Sequence, residues 1–205
     1  MKKIVLGVVG VLALIGGGMA VYMNTGTNVR QLTEHGTLTP DGKAKKTRTA
    51  DALDYAVAIK IAAPPEVVWG QLTDASKQKA WNSTLTEIAG PIELNKRVKL
   101  KTKTGGDREF DLLVSTFEVN KKLVWEDGGK PFMGVRTFTL AAAEGGTVFA
   151  MNETLSGRML GMIEGSLPDF TQSFETYAAD LKKAAEAAAP PPAAPPTEPA
   201  PAPSP

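Results

Sequence analysis

Apolar residues alternate with other residues at the start of the region predicted to fold. The alternating positions are Tyr55, Val57, Ile59 and Ile61. A period of two predicts a strand with one buried face. Pro64 and Pro65 follow, and both suit the first turn of a helix, where backbone N–H groups lack helical partners. The pattern therefore predicts a strand, then a helix from 65 to 73 or 74, and a second short helix at 76–81.

Six further alternating segments follow these helices. They are 85–92, 98–102, 110–119, 122–126, 135–140 and 147–155. Three of the gaps contain a glycine pair next to an acidic residue, at 105–107, 127–129 and 144–146. Glycine accepts the positive φ that tight hairpin turns require. Neighbouring strands are therefore predicted to join as antiparallel hairpins.

The last periodic segment is helical. Its apolar positions are Phe170, Phe174, Tyr177 and Leu181, at spacings of three and four. This helix is predicted from 168 or 169 to 188, with a polar opposite face. Its apolar stripe is buried if the sheet curves around it. The order of elements predicts an α+β helix-grip fold, in which a curved antiparallel sheet of about seven strands wraps around a long C-terminal helix.

The amino terminus has the pattern of a membrane segment within residues 1–23. Lys2 and Lys3 precede an uncharged stretch at 4–23, long enough at ~1.5 Å per residue to cross a ~30 Å hydrocarbon layer. The lysines favour a cytoplasmic terminus, which predicts a single-pass anchor with the domain outside, periplasmic or extracellular. The alternative is a signal peptide cleaved after Ala20, which predicts a secreted protein.

Composition divides the rest of the chain into three parts. Residues 24–53 are predicted to be a polar linker, residues 54–188 the folded domain, and residues 189–205 a disordered tail rich in proline and alanine. The tail is expected to populate polyproline II and to act as a spacer. A proline-recognising partner for the tail is the alternative.

Charge and residue counts argue against several classes of function. The formal net charge is +1 at pH 7, without the basic footprint of a nucleic-acid-binding protein. The absence of cysteine excludes disulfides and thiolate sites. The single histidine, His35, lies in the linker, which argues against a Ser-His-Asp triad or a multi-histidine metal site. No metal or other cofactor is expected.

Several segments together resemble the SRPBCC superfamily of START-like proteins, in particular bacterial polyketide cyclase/dehydrase-type proteins. The segments are residues 61–74 (IAAPPEVVWGQLTD), Trp81-Asn82, Leu123-Val-Trp-Glu126, Arg136-Thr-Phe-Thr-Leu140, Gly145-Gly-Thr-Val148 and Glu153-Thr-Leu-Ser-Gly157. The resemblance covers roughly 54–186. It implies the helix-grip fold and a small hydrophobic ligand in an internal cavity, because the superfamily includes lipid and sterol carriers, aromatase/cyclases and hormone receptors.

Alternation predicts an ion pair inside this cavity. Phe149, Met151 and Glu153 share the face of one strand that is expected to point inward, and Arg136 and Phe138 share the corresponding face one hairpin earlier. Arg136 is therefore predicted to meet Glu153. One interpretation is a structural ion pair, or exposure of either residue at the rim; the other is a role in orienting ligand or in acid/base chemistry.

Aromatic and methionine side chains complete the predicted ligand-binding set. Beyond the five residues above, its members are Trp125, Phe132, Met133, Met159, Met162, Phe170 and Phe174. Methionine adapts to irregular ligands, although such side chains are also common in an ordinary core.

Three functions remain open at this point. The first is binding or carrying of a small lipid-like or aromatic ligand by a membrane-tethered domain, without catalysis. The second is a cyclase or dehydratase-like enzyme that uses Glu153 as general acid/base. The third is a protein-interaction module whose cavity is closed. The volume of the cavity distinguishes the third function from the first two.

Overall fold

A computed structural model of the chain describes residues 38–190. The strands are β1 (Lys45–Arg48), β2 (Ala52–Ile61), β3 (Leu85–Ala89), β4 (Arg97–Thr102), β5 (Glu109–Glu118), β6 (Lys122–Gly129), β7 (Phe132–Ala143) and β8 (Gly146–Ser156). The helices are α1 (Pro65–Leu72), α2 (Ala75–Trp81), α3 (Leu160–Ile163) and α4 (Thr171–Ala188), with a 3-10 turn at Glu164–Ser166.

The strands form one open antiparallel sheet in the order β1-β2-β8-β7-β6-β5-β4-β3. Strands β3 to β8 are joined as consecutive hairpins, and β8 then pairs with β2. Helices α1 and α2 make the long connection from β2 to β3, and both contact α4. Helix α4 packs against β2 and α1. The α+β helix-grip fold predicted from the periodicities is thereby confirmed.

The sheet has eight strands in the described part of the chain, one more than about seven. The additional strand, β1, lies in the segment predicted to be a linker. It pairs with β2 from Lys45↔Ala56 to Arg48↔Leu53. Its side chains are mostly exposed, so the strand has no apolar alternation that the sequence could reveal. An edge strand of this kind is held by backbone hydrogen bonds, which leave no pattern in the sequence.

The core lies between the concave face of the sheet and α4. Phe174, Tyr177 and Leu181 of the predicted helical stripe are all buried. The Phe138 ring lies between its neighbours, with its centroid 5.0 Å from that of Trp125 and 5.8 Å from that of Tyr177. Edge-on and tilted aromatic contacts at these distances stabilise the packing beyond the area that they bury. This aromatic cluster fixes the distance between helix and sheet.

Gly146 permits the tight turn between β7 and β8. Its φ is +147°, and a Cβ atom there would lie 2.0 Å from the backbone oxygen of Ile61. Only glycine fits this approach of two backbones. The preceding Gly145 also has a positive φ, +72°, but a Cβ there would meet nothing within 4 Å.

No helix between residues 38 and 190 is long and apolar enough to cross a bilayer. The predicted span at 4–23 lies outside the described residues, as do the first part of the predicted linker and residues 191–205 of the predicted tail.

Candidate functional site

A cavity of about 300 Å³ lies between the concave face of the sheet and α4. Its apolar walls include the buried side chains of Leu100, Leu112, Met151, Leu155 and Phe174. Its mouth lies between the β4–β5 hairpin, with Thr104 and Arg108, and the loop before α4, with Ser166 and Pro168. These four rim residues are exposed. The cavity is therefore an apolar chamber with one polar rim.

Arg136 and Glu153 form the ion pair that alternation predicted. The two residues are direct cross-strand partners on β7 and β8. Arg136 Nε lies 2.8 Å from Glu153 Oε2, and Arg136 Nη2 donates to the same oxygen. Their side chains are 23% and 18% exposed, and both line the cavity. Arg136 Cζ also lies 5.4 Å from the centroid of the Phe174 ring. The wall thus contains two charges that compensate each other.

Two buried polar groups of residues that line the cavity have no hydrogen-bond partner among residues 38–190. They are the indole N–H of Trp125 and the hydroxyl of Tyr177, in residues that are 2% and 3% exposed. Burial raises the pKa of the Tyr177 hydroxyl far above its ordinary value, although the nearby Arg136 charge acts in the opposite direction. The hydroxyl therefore stays protonated and is a donor. A buried unpaired donor costs ~1–3 kcal/mol, so both groups call for an acceptor.

The Trp125 indole lies next to the ion pair. Trp125 pairs with Arg136 across β6 and β7, and Arg136 pairs with Glu153 across β7 and β8. The three residues therefore form one row across the concave face. Tyr177 approaches the same face from α4, with its ring centroid 5.8 Å from that of Phe138 on β7. All four residues line the same chamber.

Carboxylates near the cavity are paired rather than clustered. Glu153 faces Arg136, and Asp127 at the mouth lies 3.2 Å from Arg108 Nη2. No three His, Asp or Glu side chains in the described part of the chain are arranged to hold a metal ion. The chemistry that these side chains offer is hydrogen bonding and, at Glu153, proton transfer.

Seven of the twelve predicted ligand-binding residues line the cavity. They are Trp125, Phe132, Arg136, Met151, Glu153, Phe170 and Phe174. Phe138 and Phe149 lie in the core beside it, where both rings pack against Tyr177. Alternation had placed both side chains on the correct face, but the helix covers them.

The three remaining methionines, Met133, Met159 and Met162, are not among the residues that line the cavity. Met133 alternates with Phe132 and Gly134, so it points to the opposite face of β7. Met159 and Met162 are 38% and 82% exposed, at and within α3. Residue type alone predicted these methionines as ligand-binding residues. The alternation of β7 and the outward face of α3 decide where their side chains point.

Sequence reasoning missed Tyr177 and the β4–β5 side of the chamber. The β4–β5 residues are Leu100, Thr102, Thr104, Gly105, Arg108, Phe110 and Leu112. Gly134 was also missed, although it lies at an inward position of β7. Alternation does mark Leu100 and Leu112 as inward, but it carries no sign of which inward residues border empty space.

Residues 52–186 match the family described as polyketide cyclase/dehydrase and lipid transport. The chain belongs to this family. The matched residues run from the first residue of β2 into the last turn of α4, so both walls of the cavity belong to the family domain. The resemblance found in the sequence is thereby confirmed. None of the curated proteins matches the chain.

Solved structures from several bacteria share the helix-grip fold. A protein of unknown function from Staphylococcus aureus is 13% identical, with a TM-score of 0.54 over 67% of this chain and 96% of that chain. A protein from Nitrosomonas europaea is 13% identical, with a TM-score of 0.52 over 66% and 95%. A protein from Mesorhizobium loti is 22% identical, with a TM-score of 0.51 over 64% and 95%. At these identities the likeness shows the fold alone.

Proposed function

We propose that this family member binds and carries a small apolar molecule in the chamber between the sheet and α4. The observation that carries the proposal is a cavity of about 300 Å³ with apolar walls and a few convergent polar groups. Ligand sites commonly measure ~300–1,000 Å³ and have this composition. A volume at the lower limit favours a compact, ring-sized or single-chain molecule over a two-chain lipid. Open space also supports binding over a closed interaction module.

Filling the chamber tests this proposal. Gly134 lines the cavity, and a Cβ atom there would lie 3.4 Å from Glu153 Oε1 and from Leu155 Cδ2, which is ordinary contact. Gly134→Ala is therefore expected to be tolerated, whereas the longer side chain of Gly134→Leu extends into the space that a ligand needs.

The measurement is organic extraction and mass spectrometry of the full chain after purification from its expression host. We expect a small molecule in near-stoichiometric amount with the wild type and with Gly134→Ala, and its loss from Gly134→Leu. Thermal melting of each variant separates loss of ligand from loss of fold. An identical extract from all three proteins would show that the chamber holds nothing.

Catalysis at Glu153 is the second candidate function. Both described donors of Arg136 go to Oε2, and the other oxygen, Oε1, lies toward Gly134. A carboxylate oxygen at a cavity wall suits general acid/base chemistry. Glu153→Gln keeps the shape and removes the proton-transfer group. Retained ligand binding with loss of turnover on a polyketide-like substrate supports an enzyme, whereas no turnover by the wild type leaves the carrier.

Residues 4–23 are proposed to tether the domain to the outer side of the membrane. The support is the sequence of the segment, uncharged after Lys2 and Lys3. Alkaline extraction of membranes from expressing cells tests it. The full chain should stay with the membrane, and Val9→Lys combined with Leu12→Lys should be released. Release of a wild-type chain shortened by about twenty residues would instead identify a cleaved signal peptide.

A partner for the proline-rich tail stays a prediction.

A further inference from the structure

We infer that the chamber selects a ligand whose polar end is an uncharged hydrogen-bond acceptor, such as a ketone, ester or quinone oxygen, held by the indole N–H of Trp125 and the hydroxyl of Tyr177. The inference rests on the proposed function, because it names the class of ligand for the same chamber. It goes further because it names the chemical group of the ligand that the protein recognises and the side chains that recognise it.

The first step is the state of the two donors without ligand. Trp125 Nε1 and Tyr177 Oη are buried and unpaired within residues 38–190, although both residues border open space. An indole nitrogen only donates, and a protonated phenol donates readily. Most buried polar groups in proteins have partners, so exceptions require an explanation. An acceptor on a bound molecule that displaces the atoms now covering either donor would supply its missing partner.

The second step is the charge of the chamber wall. The positive charge of Arg136 is already met by the carboxylate of Glu153, at 2.8 Å from Nε. A ligand carboxylate in the chamber would have to approach Glu153 or displace it, and two carboxylates in an apolar site repel each other. A ligand cation would face Arg136 in the same way. The groups that remain to form hydrogen bonds with a ligand are therefore neutral, and they favour an uncharged group on the ligand.

The third step is that this pairing is specific to the chamber. Tyr55 is a comparison case, because it is equally buried, and its hydroxyl interacts with the ammonium group of Lys46, whose pKa it raises. Its ring packs against Phe170 and Phe174, but it does not line the cavity. Tyr55 thus offers a control that removes the same atom from the same kind of residue without touching the ligand space.

The experiment compares three probes of one size and one apolar skeleton: acetylnaphthalene, ethylnaphthalene and naphthoate. Binding to the full chain in nanodiscs is measured by calorimetry, with the heat from empty nanodiscs subtracted. Because a gained hydrogen bond also removes the penalty of a buried unpaired donor, we expect acetylnaphthalene to bind about tenfold more tightly than ethylnaphthalene. Naphthoate is expected to bind more weakly than acetylnaphthalene.

Two variants assign the effect to the donors. Tyr177→Phe and Trp125→Phe should each reduce the advantage of acetylnaphthalene over ethylnaphthalene by several-fold, and Tyr55→Phe should leave it unchanged. Tyr177→Phe removes only an unpaired hydroxyl, so its melting temperature in the absence of probe should not fall. A stable variant with altered probe preference is a result that a merely structural tyrosine would not give.

Each remaining outcome contradicts a distinct statement. Equal affinities for acetylnaphthalene and ethylnaphthalene, or tightest binding of naphthoate, would overturn the inference and leave the proposed function intact. An unchanged preference in both donor variants would also overturn it. Binding of none of the three probes, in a protein that melts cooperatively, would overturn the proposed function and the inference together.

Discussion

Removing one charge of the Arg136–Glu153 pair is expected to destabilise the protein by about 1–2 kcal/mol, depending on which charge is removed. A fully buried charge that loses its partner costs ~3–5 kcal/mol. An exposed ion pair contributes only ~0–1 kcal/mol. With side chains 23% and 18% exposed, Arg136 and Glu153 lie between these limits, closer to the buried case in exposure but open to the chamber.

The two single substitutions should differ in size. Arg136→Met leaves the carboxylate of Glu153 unpaired and also removes the guanidinium from the face of Phe174, a contact of ~0.5–2 kcal/mol. Glu153→Gln keeps an acceptor oxygen for Arg136 and nearly the same volume. We therefore expect a loss of about 2 kcal/mol or more for Arg136→Met and about 1 kcal/mol for Glu153→Gln.

A double-mutant cycle measures the pair itself. The free energy of unfolding in urea is determined by tryptophan fluorescence for the wild type, both single variants and the double variant. A coupling energy of about 1–2 kcal/mol is expected, because the double variant no longer leaves one charge alone in the wall. The control cycle uses Lys99 and Glu109, a pair at 2.9 Å whose side chains are 60% and 47% exposed. Its coupling should be much smaller and should vanish in high salt.

A coupling between Arg136 and Glu153 no larger than that of the control, and equally sensitive to salt, would refute this reasoning. Water would then screen the chamber wall as it screens the outer surface. The charge balance of the wall would no longer give a reason for the chamber to prefer a neutral ligand.

Three further predictions concern stability. Asp74 caps α2, and the hydrogen bond from the Ser76 hydroxyl holds the pKa of its carboxyl below the ordinary 3.8, so the contribution of this carboxylate to stability is complete at neutral pH and is lost as the pH falls through the lowered pKa. The melting temperature of Asp74→Ala should therefore be lower than that of the wild type at neutral pH and equal to it in acid. A difference that stays constant with pH would contradict this. Gly146→Ala should cost about 3 kcal/mol in urea unfolding, against about 1 kcal/mol for Gly145→Ala, because only the former meets backbone; equal losses would exclude the clash. Phe174→Ala should cost ~3–5 kcal/mol by the same measurement, and a loss under 1 kcal/mol would show that the α4 interface is loosely packed.

Much of the fold was predictable because its elements are encoded locally. Alternation located β2 to β8 within a few residues, and the spacing of the stripe that contains Phe174 located α4. Strand β1 was missed because backbone pairing with β2 holds its exposed side chains in place. Helix α3 was missed because it is a single turn of four residues, too short to show a period.

The candidate site was predictable only where the alternation along a strand shows which side chains point inward. Phase placed Arg136 and Glu153 on one face and brought them together correctly. Met133 was selected for its residue type against the phase of its strand, and it lies on the opposite face. Tyr177 belonged to an apolar helical stripe, so its hydroxyl gave no signal of being unpaired.

The sequence by itself determined the elements, their inward faces and the family, because periodicity and turn chemistry are properties of neighbouring residues. Only the tertiary structure decided which inward side chains border open space. The chamber is the volume left when α4, the hairpins of β4 to β8 and the loop at Ser166 to Pro168 close over one another. That volume depends on the distances between elements far apart in the chain, which no local pattern records. The same closure leaves the indole N–H of Trp125 and the hydroxyl of Tyr177 without hydrogen-bond partners among residues 38–190.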